Sequence, residues 1–316
     1  MRLITVIASL LAIAIVSVRT AAAEPVASIP YRIEYNGWYT VDITVNGRGP
    51  YQFIVDTGAT LTAVFENMTE SQDFEPADVP EKRVLGIIGA QELPAVKIGG
   101  LEAGGIRLDD HVGVIIPDWD DPGPKPHGVL GLDFLSRYIV LFDAVRQRIE
   151  FFDPGNPPTD EAADMTRTRL RFSTFNRDYG GLYTINVSIA NRTIPCIVDL
   201  GADGTLLNYR TMRRLLGGIY VDPRRETGST TGSKIRDVFG DESAALSIRA
   251  GPIRINGARW DRRTFLIYNA GIFQELGINR KSYGLLGADL LRDRSFIFDF
   301  PNERFYVTRR AVIDAS

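Results

Sequence analysis

Phe53-Ile54-Val55-Asp56-Thr57-Gly58-Ala59 is an apolar run that stops at a carboxylate, one further residue and a glycine, and Cys196-Ile197-Val198-Asp199-Leu200-Gly201-Ala202 repeats it far downstream. Each copy is preceded by an alternating stretch, Tyr39 to Asn46 in the first and Tyr183 to Ala190 in the second. Each also ends alike. Gly128-Val129-Leu130-Gly131-Leu132-Asp133-Phe134-Leu135 matches Gly284-Leu285-Leu286-Gly287-Ala288-Asp289-Leu290-Leu291, and the match continues to Phe142-Asp143 with Phe298-Asp299 and to Arg148 with Arg304. Matching blocks in one order are the mark of an internal duplication, and a duplication decides architecture before any single motif does.

Within each copy the apolar residues alternate or run continuously over short stretches bounded by turn residues. Strands are predicted at Val41 to Val45, Tyr51 to Val55, Ile139 to Phe142 and Arg148 to Phe152, with counterparts in the second copy. Short helices are predicted after Gly131 and Gly287, and another from Asn208 to Leu216 with its leucines and Met212 packed on a sheet. The expected class is mainly β. Asp153-Pro154-Gly155-Asn156-Pro157-Pro158-Thr159-Asp160 separates the copies and has the prolines and glycine of a linker. The reading divides the chain into a signal peptide (1–23), an N-terminal lobe (24–153), a linker (154–168) and a C-terminal lobe (169–316).

An aspartate before glycine is by itself an ordinary turn signal. Behind Ile-Val in both copies and in register, Asp56 and Asp199 instead become carboxylates at the tips of rigid strands, the placement catalytic groups require. These residues, closed by Val129-Leu130-Gly131 and Leu285-Leu286-Gly287, resemble the retropepsin-like and pepsin-like aspartic peptidases, in particular their exported two-lobe bacterial members. The resemblance covers nearly the whole chain after residue 23. It implies a bilobal fold of two homologous β-barrel-like lobes about a pseudo-twofold axis, with Asp56 and Asp199 as the catalytic pair. Thr57, Gly58 and Ala59, with Leu200, Gly201 and Ala202, would support them. Two carboxylates at hydrogen-bond distance hold one proton between them, so one can activate water while the other polarises the scissile carbonyl. The implied activity is endopeptidase, with a protein or peptide substrate and neither metal nor organic cofactor. A covering hairpin is expected at Leu85, Gly86, Ile87, Ile88 and Gly89 within Val84–Ala90, and a second at Glu226–Gly232. With both lobes in one chain, a monomer is expected.

The pattern departs from the family at Leu200, where it has threonine or serine. In the family, paired hydroxyls bond across the axis to the opposite loop; here Thr57 alone can do so. Ala59 and Ala202 likewise offer no hydroxyl to the aspartates, which predicts a dyad titrating higher than usual.

Composition narrows the remaining classes. Met1-Arg2, the apolar run Leu3 to Val18 and Thr20-Ala21-Ala22-Ala23 read as a secretory signal cleaved after Ala23, predicting a periplasmic or secreted protein without a stable membrane anchor. Cleavage removes Arg2 and Arg19 and leaves a net charge of 34 − 39 = −5, which argues against nucleic acid as a partner. Cys196, the one cysteine in 316 residues, can form no intramolecular disulfide and reads as a core residue. His111 and His127 are the only histidines, and no Gly-x-Ser-x-Gly segment occurs. Between Glu24 and Asp56 there is little room for an inhibitory pro-segment, so control is expected from elsewhere. The main rival is a peptide-binding module that keeps the cleft without catalysis; a glycosidase using two carboxylates would not account for the duplicated framework.

Overall fold

The computed structural model describes residues 22–118, 125–175, 180–217 and 233–312 of the protein. The expected signal peptide, except its last two residues, and the Glu226–Gly232 hairpin lie outside them. The fold is mainly β. In the first copy the strands are β1 (Ala27–Ile33), β2 (Tyr39–Val45), β3 (Arg48–Val55), β4 (Ala63–Phe65), β5 (Glu75–Pro76), β6 (Lys82–Leu85), β7 (Ala90–Leu93), β8 (Ala95–Ala103), β9 (Ile106–Ile116) and β10 (Gly128–Leu130), then helix α1 (Leu132–Leu135), β11 (Ile139–Asp143) and β12 (Arg148–Phe152). Strand β2 shows why the alternation reads true: Val41, Ile43 and Val45 are fully buried, while Asp42 between them is exposed. Strand β3 ends with Phe53, Ile54 and Val55 all buried, because it runs between β2 and β10 in the middle of the sheet. The order β2-β3-β10-β4-β9-β8 returns from β8 to β2 and closes a six-stranded barrel.

The chain then passes through α2 (Thr159–Ala162) and β13 (Met165–Arg169) into the second copy: β14 (Arg171–Ser173), β15 (Leu182–Ile189), β16 (Arg192–Val198), β17 (Leu206–Leu207), α3 (Tyr209–Leu215), β18 (Ser233–Arg236), β19 (Glu242–Ala250), β20 (Ile253–Ile255), β21 (Ala258–Trp260), β22 (Arg263–Ile267), α4 (Gly271–Glu275), β23 (Gly284–Leu286), β24 (Phe296–Asp299) and β25 (Arg304–Thr308). Its path β19-β22-β17-β23-β16-β15 parallels the barrel of the first copy, with no closing pair among the described residues. Helix α3 begins where Asn208 accepts a hydrogen bond from Thr211 N at 2.9 Å. Met212 is buried as expected, whereas Leu216 at the helix end is exposed.

The two copies meet in a sheet of order β13-β25-β24-β11-β12-β1. Strands β11 and β24 pair antiparallel, with Val140 opposite Phe298, Leu141 opposite Ile297 and Phe142 opposite Phe296. The offset that relates Gly128 to Gly284 also relates Leu141 to Ile297, so equivalent residues face each other there and their neighbours exchange places. That is what a twofold axis through the pair requires. Phe142 stacks on Phe296 with centroids 4.5 Å apart, and Phe298 on Phe300 at 5.2 Å, so aromatic packing fills the junction.

One boundary needs correction. The stretch 154–168 was expected to be linker, yet residues 165–169 pair along β25 from Met165↔Thr308 to Arg169↔Arg304. A strand on the outside of β25 satisfies backbone groups that β25 would otherwise present at a sheet edge. The segment between the copies without regular structure is therefore shorter than its composition suggests.

Candidate active site

Each aspartate is held by the same construction. Strand β10 lies parallel to β3, with Gly128 beside Phe53 and Leu130 beside Val55; β23 lies parallel to β16, with Gly284 beside Cys196 and Leu286 beside Val198. The N–H of Asp56 donates to Leu130 O at 3.0 Å, and that of Asp199 donates to Leu286 O at 3.0 Å. The chain then turns away, leaving each carboxyl group at a strand tip. Thr62 and Thr205 brace the turns. The Thr62 hydroxyl donates to Asp133 at 2.7 Å and accepts from Gly131 N at 2.9 Å; the Thr205 hydroxyl donates to Asp289 at 2.6 Å and accepts from Gly287 N at 3.2 Å. Sequence reasoning did not single out these pairs. Their signal was present, because each threonine stands six positions after its aspartate and Asp133 matches Asp289 in the repeat.

The two loops bring Asp56 and Asp199 together, each carboxyl group lying against the glycine of the opposite loop. Asp56 Oδ1 accepts from Gly58 N at 2.6 Å and from Gly201 N, on the opposite loop, at 3.2 Å; Asp199 Oδ1 accepts from Ala202 N at 3.1 Å. Glycine is required at both crossings. A Cβ on Gly58 would lie 2.7 Å from the carboxyl carbon of Asp199, and one on Gly201 would collide with the Asp56 carboxyl. Burial raises the pKa of both aspartates, even though each keeps a face toward solvent. For Asp199, burial and then the charge of Asp56 push it well above the ordinary carboxylate value; for Asp56, the N–H donors of Gly58, Gly201 and Ala59 offset part of the effect of burial. The direction is the one expected, but its cause is burial rather than the missing hydroxyls, and the backbone N–H groups of Ala59 and Ala202 act against it.

Thr57 is buried at the loop crossing. Its hydroxyl donates to Val198 O at 3.0 Å and accepts from Leu200 N at 3.2 Å. Leu200 is fully buried in the hydrophobic core and returns no such pair of contacts from its side chain.

The hairpin expected at Leu85–Gly89 is formed by β6 and β7, closed by Gly86 N donating to Gly89 O at 2.8 Å. It reaches the second copy. Ile87 O accepts from Gly271 N at 2.9 Å, and Arg83 pairs with Glu275 at 3.2 Å. Gly86 packs so tightly on Asp237 that a Cβ there would lie 2.6 Å from its Oδ2. In return, Val238 and Phe239, at the turn between β18 and β19, pack against the apolar cluster of Ile54, Phe65 and Val129 in the first copy. Ala59 and Leu61 from the Asp56 loop and Val84 from the hairpin pack against that same cluster. The Asp56 loop, the hairpin and the opposing turn thus share one apolar wall. This cross-copy contact was not foreseen in the sequence.

The other reactive side chains serve the scaffold. Burial pushes the Cys196 thiol up to about 12, which keeps it neutral inside the core. His127 Nδ1 accepts from Gln52 N at 3.3 Å, and His111 Nε2 lies 3.0 Å from Thr62 O. No cluster of three or more His, Cys, Asp or Glu suited to a metal ion occurs among the described residues.

Residues 41–134 match the family model described as aspartyl protease, a segment containing Asp56, the hairpin and the closing strand β10. Among solved structures, conglutin gamma, a basic 7S globulin from lupine seeds, superposes with a TM-score of 0.52 at 11% identity, covering 92% of this chain and 96% of that one. Basic 7S globulin from soybean gives 0.48 at 13% identity, covering 90% and 94%. The lupine likeness supports the fold and nothing beyond it. The family match to the first copy supports a protease-like function.

Proposed function

We propose that the protein is an aspartic endopeptidase in which Asp56 and Asp199 activate water between them. The observation that carries this reading is the meeting of the two carboxyl groups, one from each copy, at the tips of equivalently built strands, each against the glycine of the opposite loop. Two such groups cannot both ionise comfortably, so the pair retains a proton over a wide pH range. Asp56, with N–H donors from both loops, is the better-stabilised anion and acts as general base on the water. Asp199 carries the proton and donates it toward the scissile carbonyl. The β6–β7 hairpin covers the substrate, and the apolar wall around Ile54, Phe65 and Val129 favours hydrophobic side chains. In this reading the chain is exported through residues 1–23 and works as a monomer on another exported or envelope protein.

A second reading has one observation in its favour. The hairpin is bonded to the second copy through Gly271 and Glu275 and packs on Asp237, as would suit a module that retains peptide without cleaving it. Incubation with casein and with a peptide library separates the two. Cleavage by the wild type that is lost in Asp56→Asn supports the peptidase; peptide binding without cleavage in both proteins supports the binding module and overturns the peptidase.

A further inference from the structure

On the second copy, Gly257, Arg259, Asp261, Arg294, Arg309, Arg310 and Ala311 line a concavity of about 520 Å³. None of these residues belongs to the catalytic loops or the covering hairpin. Four arginines facing one aspartate stand out on a chain whose formal net charge is −3. Arg259, Arg309 and Arg310 are exposed, but Arg294 is only 4% exposed while still lining the space. A guanidinium at that depth has to be held and compensated. Arg294 Nη1 donates to Thr308 O and Nη2 to Arg259 O, both at 2.7 Å, and its carbon lies 3.9 Å above the Trp260 ring.

Compensation is incomplete. Arg294 Nε lies 3.7 Å from Asp293 Oδ1 without a hydrogen bond, and both of these buried atoms lack a hydrogen-bond partner. Trp260 Nε1 and Thr308 Oγ1 are buried without partners as well. Half of the unpartnered buried side-chain atoms among the described residues thus cluster at this one place, although such atoms are normally satisfied. Burial pushes the Arg294 guanidinium below its ordinary value; Asp293 opposes this and the nearby Arg263 adds to it.

We propose that this concavity is an anion site that binds a phosphoryl group, with Arg294 at its floor and Arg259, Arg309 and Arg310 at its rim. Guanidinium groups present forked donors that match phosphate oxygens, and a buried cation with a spare N–H gains most from such a partner. Sources with this chemistry include inorganic phosphate, a phosphomonoester and a phospholipid headgroup.

The test is isothermal titration of the purified protein with inorganic phosphate at low ionic strength, together with co-sedimentation on phosphatidylglycerol and on phosphatidylcholine vesicles. Wild type is compared with Arg309→Ala/Arg310→Ala and with a control, Arg213→Ala/Arg214→Ala, in exposed residues of α3. The site predicts binding that weakens about tenfold or more in the Arg309/Arg310 variant, stays unchanged in the control and fades with added salt. Phosphate binding without vesicle binding assigns a soluble phosphoryl ligand; selective binding to phosphatidylglycerol vesicles assigns a lipid headgroup. Absence of both, or equal weakening in the control, overturns the proposal.

Discussion

The hydroxyl of Thr57 accepts a hydrogen bond from the backbone N–H of Leu200 at 3.2 Å, and Leu200 has no side-chain oxygen with which to return it. The crossing of the two aspartate loops is therefore fastened from one side. Thr57 also donates to Val198 O, so one buried hydroxyl serves two backbone groups of the opposite loop. Thr57→Val orphans both. The expected loss is about 2–6 kcal/mol of stability, from roughly 1–3 kcal/mol for each unsatisfied buried group, with a fall in kcat larger than any change in KM. Thermal unfolding and steady-state kinetics check this, and an unchanged Tm would count against the crossing as drawn.

Leu200→Thr supplies the missing hydroxyl but removes a fully buried hydrocarbon side chain from the core. Peptidase activity is expected to be preserved or raised, while stability falls by about 2 kcal/mol or more. A large loss of kcat/KM in a protein that remains folded at the assay temperature would show that the asymmetric crossing is itself required.

The contact between Gly86 and Asp237 gives the hairpin a testable anchor. In Gly86→Ala the new methyl would sit 2.6 Å from Asp237 Oδ2, forcing the turn off its seat on the second copy. Hydrogen–deuterium exchange in residues 82–93 is expected to rise severalfold, with a change in KM. Exchange equal to wild type would mean that the docked hairpin does not depend on this contact.

Asp289 adds a pH dependence of its own. Burial raises its pKa from the ordinary value of 3.8 to about 6, with the Thr205 hydrogen bond and Arg292 opposing. The folded state thus holds this proton more tightly than the unfolded chain, so the contribution of Asp289 to stability falls as pH rises from about 4 to about 6 and is level beyond. A shift of that size corresponds to about 3 kcal/mol at most. Asp289→Asn keeps an acceptor for Thr205 and is expected to flatten the stability curve over that window. Urea denaturation at a series of pH values measures it, and an unaltered slope would contradict the assignment.

Much of the fold was legible because the matching segments are written in contiguous words. Ile-Val-Asp-x-Gly-Ala and the Gly-containing closing segments each specify a strand and its end locally, and their parallel pairing brings Asp56 and Asp199 to equivalent places. The bracing threonines were legible in principle through their matched spacing. The hairpin's seat on Asp237 and Gly271 was not, since nothing near Gly86 or Ile87 in the chain encodes a partner so distant. Strand β13 was hidden for a different reason: Met165-Thr166-Arg167-Thr168-Arg169 carries one buried residue, Thr166, and its strand state is set by the edge of β25. The arginine concavity gathers residues from β21, from the turn before β24 and from the end of the chain, which only the tertiary fold unites.

The central claim is that Asp56 and Asp199 share a proton. Labelling the aspartates with ¹³C at the carboxyl carbon and following both signals by NMR across pH, with assignments from Asp56→Asn and Asp199→Asn, tests it most directly. The account predicts two linked steps, the upper one well above the ordinary carboxylate range, and a fall in the pKa of Asp199 when Asp56 is made neutral. Two independent titrations near 3.8, each indifferent to removal of the other carboxylate, would contradict it.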